Sequence, residues 1–197
     1  VRVQIVGIGR EANAMALTRE DLAVLRAIPG VIAAESANQV PMGFSSWNTS
    51  VNLSPDQQQE TANAAMYMGG PELFKTLGLT LAAGTWPDPD AYREYDQDAG
   101  LRGIVLPSMV ITRELAEAAF PGQDAVGRDI YLMDKPIHVV GVAERLARPR
   151  QVGGDMGYSM VLPIQVPYTL GGTYLIRTTP ERRQEVLDAA VDALNAN

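Results

Sequence analysis

Few side chains in this sequence could do chemistry, and each stands apart from the partners that chemistry needs. His138 is the only histidine, set in the apolar run Ile137-His138-Val139-Val140. Acid–base or nucleophilic catalysis needs an orienting group and a nucleophile in reach. Neither can be placed beside it, so a hydrogen-bonded structural histidine is expected. Asp96-Gln97-Asp98-Ala99-Gly100 has the opening rhythm of a calcium loop. The glutamate that would close such a loop is replaced by Pro107, which leaves a solvated acidic loop. Met66 and Met68 alternate along an apolar run and could offer two thioethers to copper(I); core filling is the simpler expectation. Gly7-Ile8-Gly9-Arg10 follows an extended segment, but the third glycine and the directly following helix of a phosphate-binding loop are missing.

What is left suits contact rather than catalysis. Arg145-Leu146-Ala147-Arg148-Pro149-Arg150 is the one basic cluster, able to meet anionic headgroups or an acidic partner. Trp47 and Trp86, with Phe44 and Met42, lie in polar, loop-like surroundings, where aromatic side chains can anchor an interface. Trp47, Trp86, Arg145, Arg148 and Arg150 are therefore the candidate partner-contact residues. No catalytic residue, cofactor-binding residue or metal ligand is assigned, and no enzyme activity is expected.

Composition narrows the field further. The chain has 197 residues, 46% of them apolar, enough for one large domain or two small ones. A net charge of −7 makes nucleic acid a poor partner, because phosphate binding needs clustered Lys and Arg. Without cysteine there are no disulfides, thiolate nucleophiles or Cys-ligated metals. Residues 36–55 and 156–176 are uncharged or nearly so, but one is rich in Ser and Asn and the other is broken by Pro163, Pro167 and Gly171-Gly172. A spanning helix needs ~20 mostly apolar residues, and neither run qualifies. Val1 is not an initiator residue and no leader pattern is present, so the chain is expected to start inside a longer protein.

The elements that would position these residues follow from periodicity and punctuation. Residues 1–8 read as a strand. A helix is expected from Leu17, with Thr18 as its cap and Asp21 returning the bond; Leu22, Leu25 and Ile28 form its apolar stripe. Pro29-Gly30 ends it and a strand follows, giving β–α–β. Strands are expected near 50–53 and 59–68. A short helix over 70–79 carries Pro71 in its first turn and Gly78 as a left-handed cap. Residues 86–102 read as a loop and 104–111 as a strand, after which Thr112 caps a helix ending at Phe120-Pro121-Gly122. Residues 128–133 and 136–143 form a hairpin joined by Asp134-Lys135, with the second strand buried on both faces. A mobile loop over 145–157 is followed by strands at 158–162 and 174–177. The final helix starts at Thr179-Pro180-Glu181 and shows a stripe of Val186, Leu187, Ala190, Val191 and Leu194. The two chain ends thus look alike in β–α pattern, and the middle reads as an insertion.

Ala27-Ile28-Pro29-Gly30-Val31, the run from Pro71 to Gly84, Phe120-Pro121-Gly122 and Val139-Val140-Gly141-Val142 stand in an order that resembles the MacB-like periplasmic core domain family. Ala27-Ile28-Pro29-Gly30-Val31 is similar to its "IPGV". Pro71-Glu72-Leu73-Phe74-Lys75-Thr76-Leu77-Gly78-Leu79-Thr80-Leu81-Ala82-Ala83-Gly84 is similar to its "P-x-Y-F-x-T-L-G-L-x-L-x-x-G-R", with Thr85 in place of the arginine. Phe120-Pro121-Gly122, Ala125-Val126-Gly127-Arg128, Val139-Val140-Gly141-Val142, Val161-Leu162-Pro163 and Ile176-Arg177-Thr178 match later blocks. These motif residues are turn glycines, caps and core, so no catalytic residue carries over.

The resemblance implies an α+β fold. Residues 1–66 plus 156–197 would form a porter-like βαβ part, and 67–155 an inserted, mostly-β, sabre-like part. It implies the periplasmic domain of a bacterial inner-membrane ABC transporter permease of the MacB/FtsX/LolC type. That domain would transmit ATP-driven motion for export. The implied partners are its own membrane helices, an ABC ATPase on a separate domain or subunit, a second permease copy or paralogue, and a periplasmic adaptor. No cofactor is implied. The alternative is a free-standing periplasmic solute- or peptide-binding module, which would need an apolar pocket with a few polar groups.

Overall fold

The computed structural model describes residues 1–4, 13–44, 46–149, 157–170 and 173–196. The expected strand at 1–8 is seen as β1 (Arg2–Gln4); the rest of it, and Gly7-Ile8-Gly9-Arg10, lie outside the described residues. Helix α1 (Ala14–Ala27) starts earlier than expected. Thr18 is therefore inside the helix rather than its cap. Its hydroxyl donates to the Ala14 carbonyl at 2.7 Å and accepts from the Tyr168 N–H at 2.8 Å. The Met15-Ala16-Leu17 run carries no start signal, which is why Thr18 looked like the boundary.

The chain ends build a small sheet. β1, β2 (Ala33–Ser36) and β11 (Thr173–Arg177) lie in the order β1-β11-β2, antiparallel throughout. Helices α1 and α4 (Arg183–Ala196) pack against it and against each other. Leu22, Leu25, Ala34, Tyr174, Ile176, Val186 and Ala190 form the core between them. The α4 stripe is narrower than its sequence suggests: Val186 and Ala190 are buried, whereas Val191 is exposed.

A larger sheet takes the rest. Its order is β3-β4-β10-β7-β9-β5, with β6 pairing β10 and β8 pairing β9. The strands are β3 (Asn48–Val51), β4 (Ala62–Gly69), β5 (Leu81–Gly84), β6 (Arg93–Glu94), β7 (Ser108–Thr112), β8 (Asp129–Leu132), β9 (Lys135–Ala143) and β10 (Ser159–Gln165). β10 is the hub, parallel to β4 on one side and antiparallel to β7 on the other. Along β4 the side chains alternate between two cores. Ala64, Met66 and Met68 face the one that also holds α3 (Arg113–Ala119). Ala65 and Tyr67 face the one that holds α2 (Leu73–Leu77). Helix α2 also touches β2 and β11, so it lies between the two sheets.

Local chemistry explains the joints. Gly78 ends α2 in the left-handed region, at φ 69°. Its N–H and that of Leu79 bond back to the Lys75 and Phe74 carbonyls, as a glycine-terminated helix does. The β8–β9 hairpin turns on Met133-Asp134, both left-handed at φ 49° and 67°, with Leu132 paired to Lys135. That is one residue before the expected Asp134-Lys135; a two-residue turn with both residues left-handed matches the twist of the strands. β9 is not buried on both faces along its whole length. Ile137 and Val139 are buried while Pro136 and His138 are exposed, and only Gly141–Ala143 are enclosed throughout. Thr112 begins α3 but its hydroxyl does not cap it. It bonds instead to the Gly157 and Ser159 carbonyls, holding α3 to β10.

Candidate functional site

The expected contact residues do not form one patch. Trp47 is half-buried against the core that holds Met66. Its backbone is clamped by Gln39, which accepts from the Trp47 N–H at 2.6 Å. Trp86 packs on the other core, its ring 4.1 Å from that of Phe74 and tilted by 32°. Together with Pro87, Tyr92 and Lys75 it borders a cavity of about 380 Å3. Burial and the charge of Glu35 push the Tyr92 phenol up to about 12. Arg145 is exposed. Arg148 is buried, its guanidinium bonded to the Asn63 carbonyl and side-chain oxygens at 3.1 Å. The segment beside it is further held by the Tyr67 hydroxyl, which donates to Ala147 O at 2.6 Å. Residues 145–149 are thus tied to β4 rather than forming a free loop; Arg150 lies outside the described residues.

The residues weighed for chemistry also have plain surroundings. His138 is exposed, and its Nδ1 sits 3.0 Å from Asp129 Oδ1 across the hairpin. Asp96 Oδ1 accepts from the Asp98 and Ala99 N–H groups, and those bonds hold its carboxyl below the usual range. Met66 and Met68 are both buried in the core. Among the described residues, no group of three His, Cys, Asp or Glu side chains could hold a metal ion.

Two features escaped the sequence. The first is Glu35, only 3% exposed on β2. Its carboxylate accepts from the Ser36 N–H at 3.0 Å and the Glu72 N–H at 3.2 Å, with Arg26 at 3.5 Å. Burial raises its pKa, against the pull of Arg26 and the two backbone donors. One carboxylate therefore joins α1, the small sheet and the start of α2. The second is a cavity of about 250 Å3. Its deep wall is Met66, Leu132, Ile137 and Leu162; its outer edge holds Val105 and Met133, which are 71% and 44% exposed. Every wall residue except Lys135 is apolar. The wall draws on four separated stretches of chain, so no local pattern announces it.

The chain matches, over residues 1–194, the model of the family described as MacB-like periplasmic core domain. It is 28% identical over 168 residues to the macrolide export ATP-binding/permease protein MacB of Shewanella oneidensis, covering 83% of this chain and 22% of that protein. The MacB of Shewanella sp. strain ANA-3 is 31% identical over 105 residues, covering 51% of this chain and 14% of that protein. The chain thus spans less than a quarter of those relatives' length. Its fold resembles the extracellular domain of the ABC-type transporter YknZ from Gram-positive bacteria, with a TM-score of 0.57 and 14% identity over 91% of this chain and 83% of that one. It also resembles the periplasmic region of MacB from Actinobacillus actinomycetemcomitans, with a TM-score of 0.55 and 12% identity over 90% and 74%. Among the described residues, no helix is long and apolar enough to cross a membrane.

Proposed function

This chain belongs to the family of MacB-like periplasmic core domains, and from that premise we propose that it carries ATP-driven motion from a membrane permease to its extracytoplasmic partners. Its place is the extracytoplasmic side of a MacB-like ABC transporter permease. Export is the activity named for the Shewanella relatives and the activity proposed for the transporter to which this chain contributes. The ATPase would sit on a separate domain or subunit. A second permease copy and a periplasmic adaptor would be the protein partners.

The observation that supports a mechanical role is the pairing of the chain ends. β1 and β11 are hydrogen-bonded neighbours, and α4 packs on both β1 and α1. A displacement applied at either end acts on one packed unit. Glu35 and α2 tie that unit to the larger sheet, so the domain would move as a body rather than bend within. The same reading treats residues 1–66 with 156–197 as the part that receives the motion and 67–155 as the part that presents it, with β3, β4 and β10 of the first part built into the larger sheet. Trp47, Trp86, Arg145, Arg148 and Arg150 are the proposed contacts. Among those described, exposed Arg145 offers its side chain most readily.

The test uses the whole transporter with spin labels at Glu20 on α1 and Glu117 on α3, both exposed. These 197 residues contain no cysteine, and any cysteine elsewhere in the transporter is replaced before labelling. Trapping the ATPase with vanadate is expected to change the distance between the two permease copies. The distance from 20 to 117 within one copy is expected to stay fixed. An active transporter in which neither distance changes, or in which only the internal one does, defeats the proposal. A free-standing binding module is the competing reading, favoured by the apolar cavity beside Lys135. Apolar runs of ~20 residues encoded on both flanks would dismiss it.

A further inference from the structure

The cavity between the β8–β9 hairpin and β10 combines an apolar wall with a single charge at its edge. Its deep wall is apolar and closed, with Met66, Leu132, Ile137 and Leu162 each no more than 5% exposed. Such a cavity stays dry and favours an apolar guest. At its edge stands a single charge. The Lys135 ammonium donates to the Arg102 carbonyl at 2.5 Å and to the Ile104 carbonyl at 3.4 Å, and Ile104 is itself a wall residue. Among the described residues, no carboxylate lies within salt-bridge distance of that ammonium. In a chain with a net charge of −7, this lysine is held by two backbone carbonyls rather than by a carboxylate. An ammonium has three donors, and backbone carbonyls occupy two of them.

We propose that this cavity binds a single-chain anionic amphiphile, with its hydrocarbon tail against Met66, Leu132 and Leu162 and its carboxylate or sulfate head on Lys135. The two features select together. The apolar wall takes the tail by excluding water, and the fixed ammonium sets the sign of the head by a charge-assisted bond. Val105 and Met133, large apolar side chains left in solvent at the edge, would be covered by the first carbons below the head. A flat or bulky ligand is disfavoured by the volume, about 250 Å3, which lies just below the usual range for drug-sized ligands. The inference is independent of how the domain moves, and it stands or falls separately from the proposed function.

The experiment titrates the 197-residue chain with hexanoate, octanoate and decanoate, each below its micelle concentration. Calorimetry gives affinity, and methionine methyl NMR reports Met66 and Met133. Affinity is expected to rise about fourfold per added CH2 until the cavity is full and then to level off, with shifts confined to Met66 and Met133. Decyltrimethylammonium is expected to bind at least tenfold more weakly than decanoate. Lys135→Met should weaken decanoate about tenfold while leaving 1-decanol unchanged, and Lys135→Arg should restore it. Val105→Trp, at an exposed edge position, should block both. Circular dichroism checks that each variant is folded. The proposal is overturned by equal binding of the cationic and anionic probes, or by methyl shifts spread over all eight methionines. It is also overturned by a Lys135→Met variant that binds decanoate as the parent does.

Discussion

Glu35 ties three elements together through one carboxylate. Its carboxylate is shared by the Ser36 and Glu72 backbone donors and by Arg26, and burial raises its pKa. Tyr92 and Glu72 are the other titratable groups that feel it. A carboxyl whose pKa is raised on folding favours the native state in its protonated form. That contribution is complete below the unfolded pKa and disappears as pH rises through the folded one. The urea midpoint of the parent chain is therefore expected to fall from the ordinary glutamate range toward neutral pH, and Glu35→Gln to remove that fall. Parallel pH profiles for the two proteins would assign the dependence elsewhere. Glu35 could not be singled out from the sequence, because Ala33-Ala34-Glu35-Ser36 gives no sign that the strand is covered on both faces. Arg148 misleads in the same way: it sits in a basic run, yet its partner, Asn63, lies on β4.

At the level of elements, the tightest constraint is where β5 meets β9. Gly84 and Gly141 are paired, and the ladder slips by a bulge between Leu81 and Ala83. A Cβ on Gly141 would stand 2.3 Å from the Thr85 carbonyl oxygen, and neither side is a flexible tip. Gly141→Ala is expected to lower stability by about 1–3 kcal/mol in a urea melt, the usual scale for overpacking; an unchanged melt would show that β5 yields freely. Most elements were legible because their punctuation is strong. Pro29-Gly30, Gly78 and Phe120-Pro121-Gly122 stop helices close to where the sequence says. Boundaries set by long-range partners were not. Thr112 looks like a cap, but Ser159 and Gly157 recruit its hydroxyl. The hairpin turn shifts to Met133-Asp134 because strand twist, not polarity, chooses its residues.

At the scale of the whole molecule, the described residues form three apolar cores, and among them only the core under α2 touches both sheets. The core under α1 and α4 shares no residue with the core under α3. Val186 is fully buried in the first of these. Val186→Asp places an unpaired charge there. It is expected to speed amide exchange in β1, β2 and β11 by at least tenfold while β7, β9 and β10 keep their protection. Uniform acceleration across both sheets would mean that they open as one cooperative unit. The small sheet of β1, β2 and β11 follows the β–α pattern that the sequence shows at both chain ends. The apolar cavity was not legible there, because its walls come together only through β4, β10, the hairpin and the segment before β7.

The position of β10 also sets a schedule for biosynthesis. β4 ends at Gly69 and its parallel neighbour β10 begins at Ser159; β1 and β2 wait for β11, which begins at Thr173. At an elongation rate of about 5–20 residues per second, β4 leaves the ribosome on the order of ten seconds before the strand that covers it. During that interval its run of Ala64, Ala65, Met66, Tyr67 and Met68 has an uncovered edge, prone to adding a foreign strand. A holdase would shield such a nascent chain until β10 and β11 emerge, and removing residues 159–177 would leave both sheets open rather than trim one of them.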